Sequence, residues 1–259
     1  RLLHANTDGL SFPALGFPKE IQEGILRALR SHGKMLLVTG PTGSGKTTTL
    51  YTCLHYLKDG STNIITIENP IEYRIPGINQ IQVNEAVDMT FATALRSILR
   101  QDPDIVMVGE IRDKETALIA IQAAQTGHKV LSSLHTNDAP ASITRLLNLE
   151  VPPYGLATSL AGILAQRLVR KVCSDCLDND SREDSLNQAK LWGIEAECLK
   201  RGRGCKACDG TGYKGRIPLF SYLETNEELE KLITEQAEMG ALIQAARRNG
   251  YRELHEGAI

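Results

Sequence analysis

The chain has 259 residues, a formal net charge of −2 and 42% hydrophobic residues. That is enough apolar side chain for a real core in one large or two modest domains, and the slight acidity argues against a strongly electrostatic nucleic-acid binder. No run of about 18 apolar residues occurs, so no transmembrane helix is expected, and the six cysteines point to a reducing compartment and a metal rather than to disulfides.

The chain opens at Arg1 without an initiator Met and reads as a piece of a longer protein. Residues 1–18 predict an irregular linker, broken by Gly9, Pro13, Gly16 and Pro18. Residues 19–31 fit an amphipathic helix with Ile21, Ile25, Leu26 and Leu29 on one side. Met35-Leu-Leu-Val38 reads as a buried parallel strand and 47–57 as a helix. Between them lies Gly40-Pro41-Thr42-Gly43-Ser44-Gly45-Lys46-Thr47, followed by Thr48, which matches the P-loop pattern with its required strand and helix on either side. Backbone N–H groups in such a turn, at a helix N-terminus, form a site for phosphates. Lys46 is expected at the β- and γ-phosphates of a nucleoside triphosphate and Thr47 at Mg2+.

A second strand covers 63–67 and ends at Glu68. A helix over 90–100 carries Phe91, Leu95, Ile98 and Leu99 and should stop before Pro103. Ile105-Val-Met-Val108 is a third buried strand closing on Gly109-Glu110, with Asp104 at its start. Asp113 can cap a helix running to Gln125, and Gly127 can end it. Residues 129–134 form a fourth strand, and 138–148 and 153–168 read as further helices. Strands alternating with helices predict an α/β core over 19–172, a mainly parallel sheet covered on both faces, with its ligand beyond the carboxyl ends of the strands. Cysteines, glycines and charges then dominate a small module at 173–216, and 217–259 is a C-terminal helical segment.

Glu110 stands where P-loop proteins place an acid that holds Mg2+ or its waters. Hydrolysis also needs a group that orients the attacking water. The cluster Glu68-Asn69-Pro70-Ile71-Glu72 offers two such acids, of which Glu72 is the first choice and Glu68 the competitor. His135, at the carboxyl end of the fourth strand, can reach the γ-phosphate or the acid that positions water. His128 lies roughly 23 Å away at ~3.3 Å per strand residue and is structural or at a subunit contact. Arg96, Arg100 and Arg112 are candidates to pair with the acids or to meet a phosphate. Cys173, Cys176, Cys205 and Cys208 form two C-x-x-C pairs, which suit a closed tetrahedral Zn2+ site, with an iron–sulfur cluster or a redox pair as alternatives. Cys53 reads as core and Cys198 as unpaired.

Four segments in order resemble the ATPases of type II secretion and type IV pilus assembly. They are Gly40 to Tyr51, the aspartate-box segment Ile67-Glu-Asn-Pro-Ile-Glu-Tyr73, the Walker B segment Ile105 to Asp113, and the histidine-box segment Thr126 to Asn137. The tetracysteine module is similar to that of the secretion and pilus-extension members. The resemblance implies a RecA-like ATPase core using ATP, Mg2+ and Zn2+, assembled as a homohexamer. It also implies an inner-membrane platform protein as partner, peripheral placement at the cytoplasmic face of that membrane, and no nucleic-acid partner. By position, Glu72 resembles the family's catalytic glutamate, Glu110 its Walker B acid, and His135 its histidine near the phosphate. Asn69 departs from the family's usual Asp, and an amide there is expected to tune rather than abolish the site. The family's preceding domain, which supplies arginines to the nucleotide, is expected to leave at most a remnant at Arg1 to Leu3. The segment ending at Ile259 is expected to stop short of the family's last helices. The alternatives are a RecA-like DNA translocase, against which the charge and the missing aromatic–basic run argue, and a nucleotide-binding regulatory module without turnover.

Overall fold

A computed structural model describes residues 11–257. The expected remnant at Arg1 to Leu3 lies outside the described residues. The chain forms two compact units, one of residues 11–167 with Phe220–Leu254, the other of Leu168–Leu219 with residues 255–257.

In the first unit a short helix, α1 (Phe12–Leu15), interrupts the segment expected to be irregular. Pro13 sits in its first turn, where its missing N–H is no loss. Helix α2 (Lys19–Arg30) buries Ile25 and Leu29. Strand β1 (Met35–Thr39) is buried throughout and feeds helix α3 (Lys46–Leu57) through the P-loop. There follow β2 (Ile64–Glu68), β3 (Asn79–Gln82), α4 (Phe91–Ile98), β4 (Ile105–Val108) and α5 (Lys114–Gln125). Next come β5 (Lys129–Leu134), α6 (Ala139–Asn148), α7 (Pro153–Ser159) and β6 (Leu160–Val172), whose residues from Leu168 on belong to the second unit. Asp113 and Asp138 cap α5 and α6 through backbone N–H groups at 2.8 and 2.7 Å.

The helix expected over 153–168 is corrected: it ends at Ser159, and the chain continues as β6. A long apolar run reads equally as a buried helix or a buried strand. Here Leu36 to Thr39 of β1 offer an open edge, and Gly162 to Ala165 pair with them in parallel. The expected helix at 90–100 is also shorter, since α4 ends at Ile98.

The second unit carries β7 (Leu177–Asn179), α8 (Glu183–Leu191), β8 (Lys200–Gly202) and the first half of β9 (Tyr213–Glu224). β7 and β8 pair antiparallel. The chain ends its described part with α9 (Glu227–Thr234) and α10 (Met239–Arg248).

The main sheet has seven strands in the order β3-β2-β4-β5-β1-β6-β9, and the pairs from β3 to β6 are parallel. This is the expected α/β architecture. Its central strands read as unbroken apolar runs because both faces are covered. Leu36, Val38, Met107 and Leu131 pack on α2 and α3, while Leu37, Val106, Val108 and Val130 pack on α4 to α7. Parallel register brings the strand ends together: Thr39 lies beside Leu134 and Ala165, and Ile67 beside Val108. The turns after β1, β2, β4 and β5 therefore open on one edge of the sheet. Among the described residues no helix is long and apolar enough to cross a membrane.

Candidate active site

The P-loop occupies that edge. Gly40 has φ +148, and a Cβ there would meet the Gln166 carbonyl at 2.4 Å and Ser44 Oγ at 2.7 Å, so only glycine fits. Gln166, 2% exposed on β6, braces the loop from below: its Nε2 donates to the Ser44 carbonyl at 2.7 Å and its Oε1 accepts from Thr49 Oγ1 at 2.8 Å. Gly45 caps α3 in a left-handed conformation without any side-chain bond to the first helical N–H groups. Within the turn the Ser44 N–H donates to the Pro41 carbonyl at 3.2 Å. Lys46 Nζ donates to the carbonyls of Gly40 at 2.8 Å and Pro41 at 3.1 Å. Burial lowers its pKa, and the Glu110 carboxylate opposes that shift. Pro41, Thr42 and Thr48 are exposed, and Thr47 is half-buried on the first turn of α3.

Glu110 follows β4 and is nearly buried. Its Oε1 meets Arg112 Nη2 at 2.5 Å and its Oε2 lies 3.3 Å from His135 Nε2. The structure thus brings Lys46, Glu110 and His135 to one place, and of the three candidate arginines Arg112 is the one on Glu110. Arg96 pairs instead with Glu115. The neighbouring ends of β1 and β5 are locked by Thr39 Oγ1 and Thr136 Oγ1, 2.7 Å apart.

The two acids after β2 part company. Glu68 is buried and accepts from Thr66 Oγ1 at 2.6 Å, from Gln80 Nε2 at 3.0 Å and from the Tyr51 hydroxyl. Glu72 is exposed, and its backbone N–H interacts with the Tyr51 hydroxyl. Enclosed by three donors, Glu68 is an anchor. Glu72 keeps an exposed carboxylate on the loop that follows β2.

His128 bonds through Nδ1 to the Ala123 carbonyl at 2.9 Å and to Thr126 Oγ1 at 3.1 Å, closing the turn after α5. It lines a cavity of about 660 Å³ with Arg30, His32, Asp104 and Lys129. That cavity lies at the opposite edge of the sheet and takes in none of the P-loop residues. Asp104 accepts from the Asn63 N–H at 2.6 Å at the start of β4.

In the second unit the four sulfurs of Cys173, Cys176, Cys205 and Cys208 lie within 4.8 Å of one another. Three of the separations are 3.9, 3.9 and 3.7 Å. A tetrahedral Zn–S4 site with bonds of ~2.3 Å has edges of roughly 3.8 Å, so the cysteines fit that ion. The N–H groups of Cys205 and Gly212 donate to Cys208 Sγ, each at 3.2 Å, and pull its thiol down to about 6. A thiolate is the form a metal binds. Gly202, at the end of β8, and Gly212, after Cys208, approach so closely that a Cβ on Gly202 would lie 2.0 Å from the Gly212 carbonyl. Cys53 is core, as expected, and Cys198 is exposed.

Sequence reasoning missed Gln166 and Tyr51. Both lie in runs that read as ordinary helix interior, and the one signal was a lone amide in an apolar stretch.

Comparison with known proteins agrees with this geometry. The family model for type II/IV secretion system proteins matches residues 1–259. The chain is 46% identical to the type II secretion system protein HxcR of Pseudomonas aeruginosa, over 99% of its own length and 51% of that protein's. It is 43% identical to the type IV pilus assembly ATPase PilB of the same organism, over 100% of this chain and 46% of that one. The solved structure of the pilus retraction motor PilT with bound ADP superposes with a TM-score of 0.65 at 30% identity, covering 95% of this chain and 65% of that one. The chain spans about half the length of these two curated relatives. With its P-loop, its acid after β4 and its whole length matched, the chain belongs to the type II/IV secretion system protein family.

Proposed function

We propose that the chain is the ATP-hydrolysing part of a motor that powers type II protein secretion or type IV pilus assembly. The observation that carries this reading is the convergence of Lys46, Glu110 and His135 beside the P-loop, with Glu110 held at 3.3 Å from His135. The names of the relatives, secretion and pilus ATPases among them, support the same reading.

In this account the backbone from Gly40 to Thr48 cradles the phosphates, and the Lys46 ammonium turns from its two carbonyls to the β- and γ-oxygens. Thr47 and Glu110 would hold Mg2+, which would supply positive charge to the triphosphate. Glu72 orients a water and takes its proton as the water oxygen bonds to the γ-phosphorus and the bond to the β-phosphate oxygen breaks. His135, fixed by Glu110, senses the γ-phosphate. Cys173, Cys176, Cys205 and Cys208 would hold Zn2+ as a structural ion. Six copies form the working ring, which acts on an inner-membrane platform protein at the cytoplasmic face and so drives pilin polymerisation.

Mg2+-dependent ATP turnover by the purified protein tests the nucleotide assignment. Lys46→Ala is expected to lower turnover at least about 100-fold, since the charge it supplies acts on the transferring phosphoryl group. Unchanged turnover in Lys46→Ala contradicts it.

A further inference from the structure

The loop between β2 and β3 carries Glu72, and a set of polar contacts, centred on the buried Gln80, ties it down. Gln80 of β3 accepts from the Ile75 N–H at 2.7 Å and donates to the Tyr73 carbonyl at 3.1 Å. The same Gln80 donates to Glu68 at 3.0 Å. Gln82 Oε1 accepts from the Ile71 N–H at 3.3 Å. The Tyr73 ring stands edge-on to the Tyr51 ring, with centroids 4.7 Å apart at 81°.

Tyr51 is the member of this set that comes from neither the loop nor the two strands that flank it. It is fully buried on α3, the helix that the P-loop opens. Its hydroxyl donates to Glu68, and the Glu72 backbone N–H approaches the same oxygen. One phenol oxygen therefore joins the phosphate-binding helix to the residue before the loop and to the loop's exposed acid. Tyr51 itself lies about 7 Å beyond Lys46 along the helix axis, at ~1.5 Å per residue, away from the phosphates.

We infer that Tyr51 is a positioning residue for hydrolysis, fixing the Glu72 loop relative to the P-loop through its hydroxyl contacts with Glu68 and the Glu72 backbone. The inference rests on the proposed role of Glu72. Attack by water is sensitive to placement: a shift of about 1 Å in a catalytic group can change a rate about 100-fold. A carboxylate on an exposed loop has no such precision unless the loop is tied to the element that holds the phosphates. Tyr51→Phe removes the tie and leaves the ring packed on Tyr73. Glu68 keeps its bonds to Thr66 and Gln80.

The test is a cycle of wild type, Tyr51→Phe, Glu72→Gln and the double variant, read by ATP affinity and by steady-state and single-turnover hydrolysis. Tyr51→Phe is expected to lower kcat about 10- to 100-fold with ATP affinity within about twofold of wild type. The double variant is expected to be no slower than Glu72→Gln alone, because the hydroxyl acts through Glu72. Thr66→Val removes another donor from Glu68 without touching α3 or the loop, and is expected to leave kcat in place. Should Tyr51→Phe fail to fold, Glu68→Gln takes its place in the cycle, with the same expected non-additivity. Wild-type kcat in Tyr51→Phe beside an inactive Glu72→Gln overturns the inference and leaves the role of Glu72 standing. Effects of Tyr51→Phe and Glu72→Gln that multiply also overturn it, since a purely structural tyrosine would behave that way. Normal turnover in Glu72→Gln removes the role of Glu72 itself, and with it the inference.

Discussion

Gly40 has the least freedom of any residue in the site. Its φ of +148 and the 2.4 Å that would separate a Cβ from the Gln166 carbonyl leave no room for a side chain. Gly40→Ala is therefore expected to displace the loop and to weaken nucleotide affinity at least about tenfold, with a stability loss of about 1–3 kcal/mol for the strained backbone. Equilibrium nucleotide titration and denaturant unfolding check the two effects; wild-type affinity would contradict the geometry. This residue was fully legible in the sequence, because the P-loop pattern is a statement about backbone shape. So was Glu110, whose place after a buried strand follows from the P-loop. The choice between Glu68 and Glu72 was not legible from spacing, since both follow the same strand. Burial separates them: three donors enclose Glu68, while Glu72 stays exposed.

β6 is the element on which the site depends and which periodicity misread. An apolar run carries no period that tells a strand from a buried helix, and the deciding fact, the open edge of β1, is far away in sequence. Reading 153–168 as one helix also hid Gln166, whose amide faces the P-loop only because β6 is a strand. Gln166→Leu keeps similar bulk but leaves the Ser44 carbonyl and the Thr49 hydroxyl without this partner in a buried place. It is expected to cost about 2–6 kcal/mol, at roughly 1–3 kcal/mol for each of the two unsatisfied groups, and to weaken ATP binding. Denaturant midpoints and nucleotide affinity check this; a variant as stable and as tight as wild type would contradict the bracing role. The edge strand β3 was illegible for a different reason: Asn-Gln-Ile-Gln is polar, with Ile81 as its one apolar side chain on the core and Gln80 bonded to Glu68. By contrast the strands β1, β2, β4 and β5 and the capped helices α5 and α6 were legible within a residue or two, because apolar runs and Asp caps are local signals.

At the scale of the whole molecule the two units have different sources of stability. The first buries two apolar clusters, one on each face of its sheet. The second buries mainly sulfur, and a unit with so little apolar core relies on its metal. Elemental analysis is expected to find about one zinc per chain, and Cys176→Ser is expected to lose it and to expose residues of the second unit to protease. Iron with visible absorption would contradict the zinc assignment. The ring and the platform protein are proposals that come from the family, whose matched relatives are about twice this chain's length, rather than from any surface of the chain. The proposed hydrolytic site, in contrast, is built from the chain's own residues. It is tested most directly by measuring ATP affinity and ATP turnover side by side in wild type and Glu72→Gln. The account predicts unchanged affinity with turnover reduced at least about 100-fold, the loss expected of a missing general base. Turnover within about twofold of wild type would contradict it.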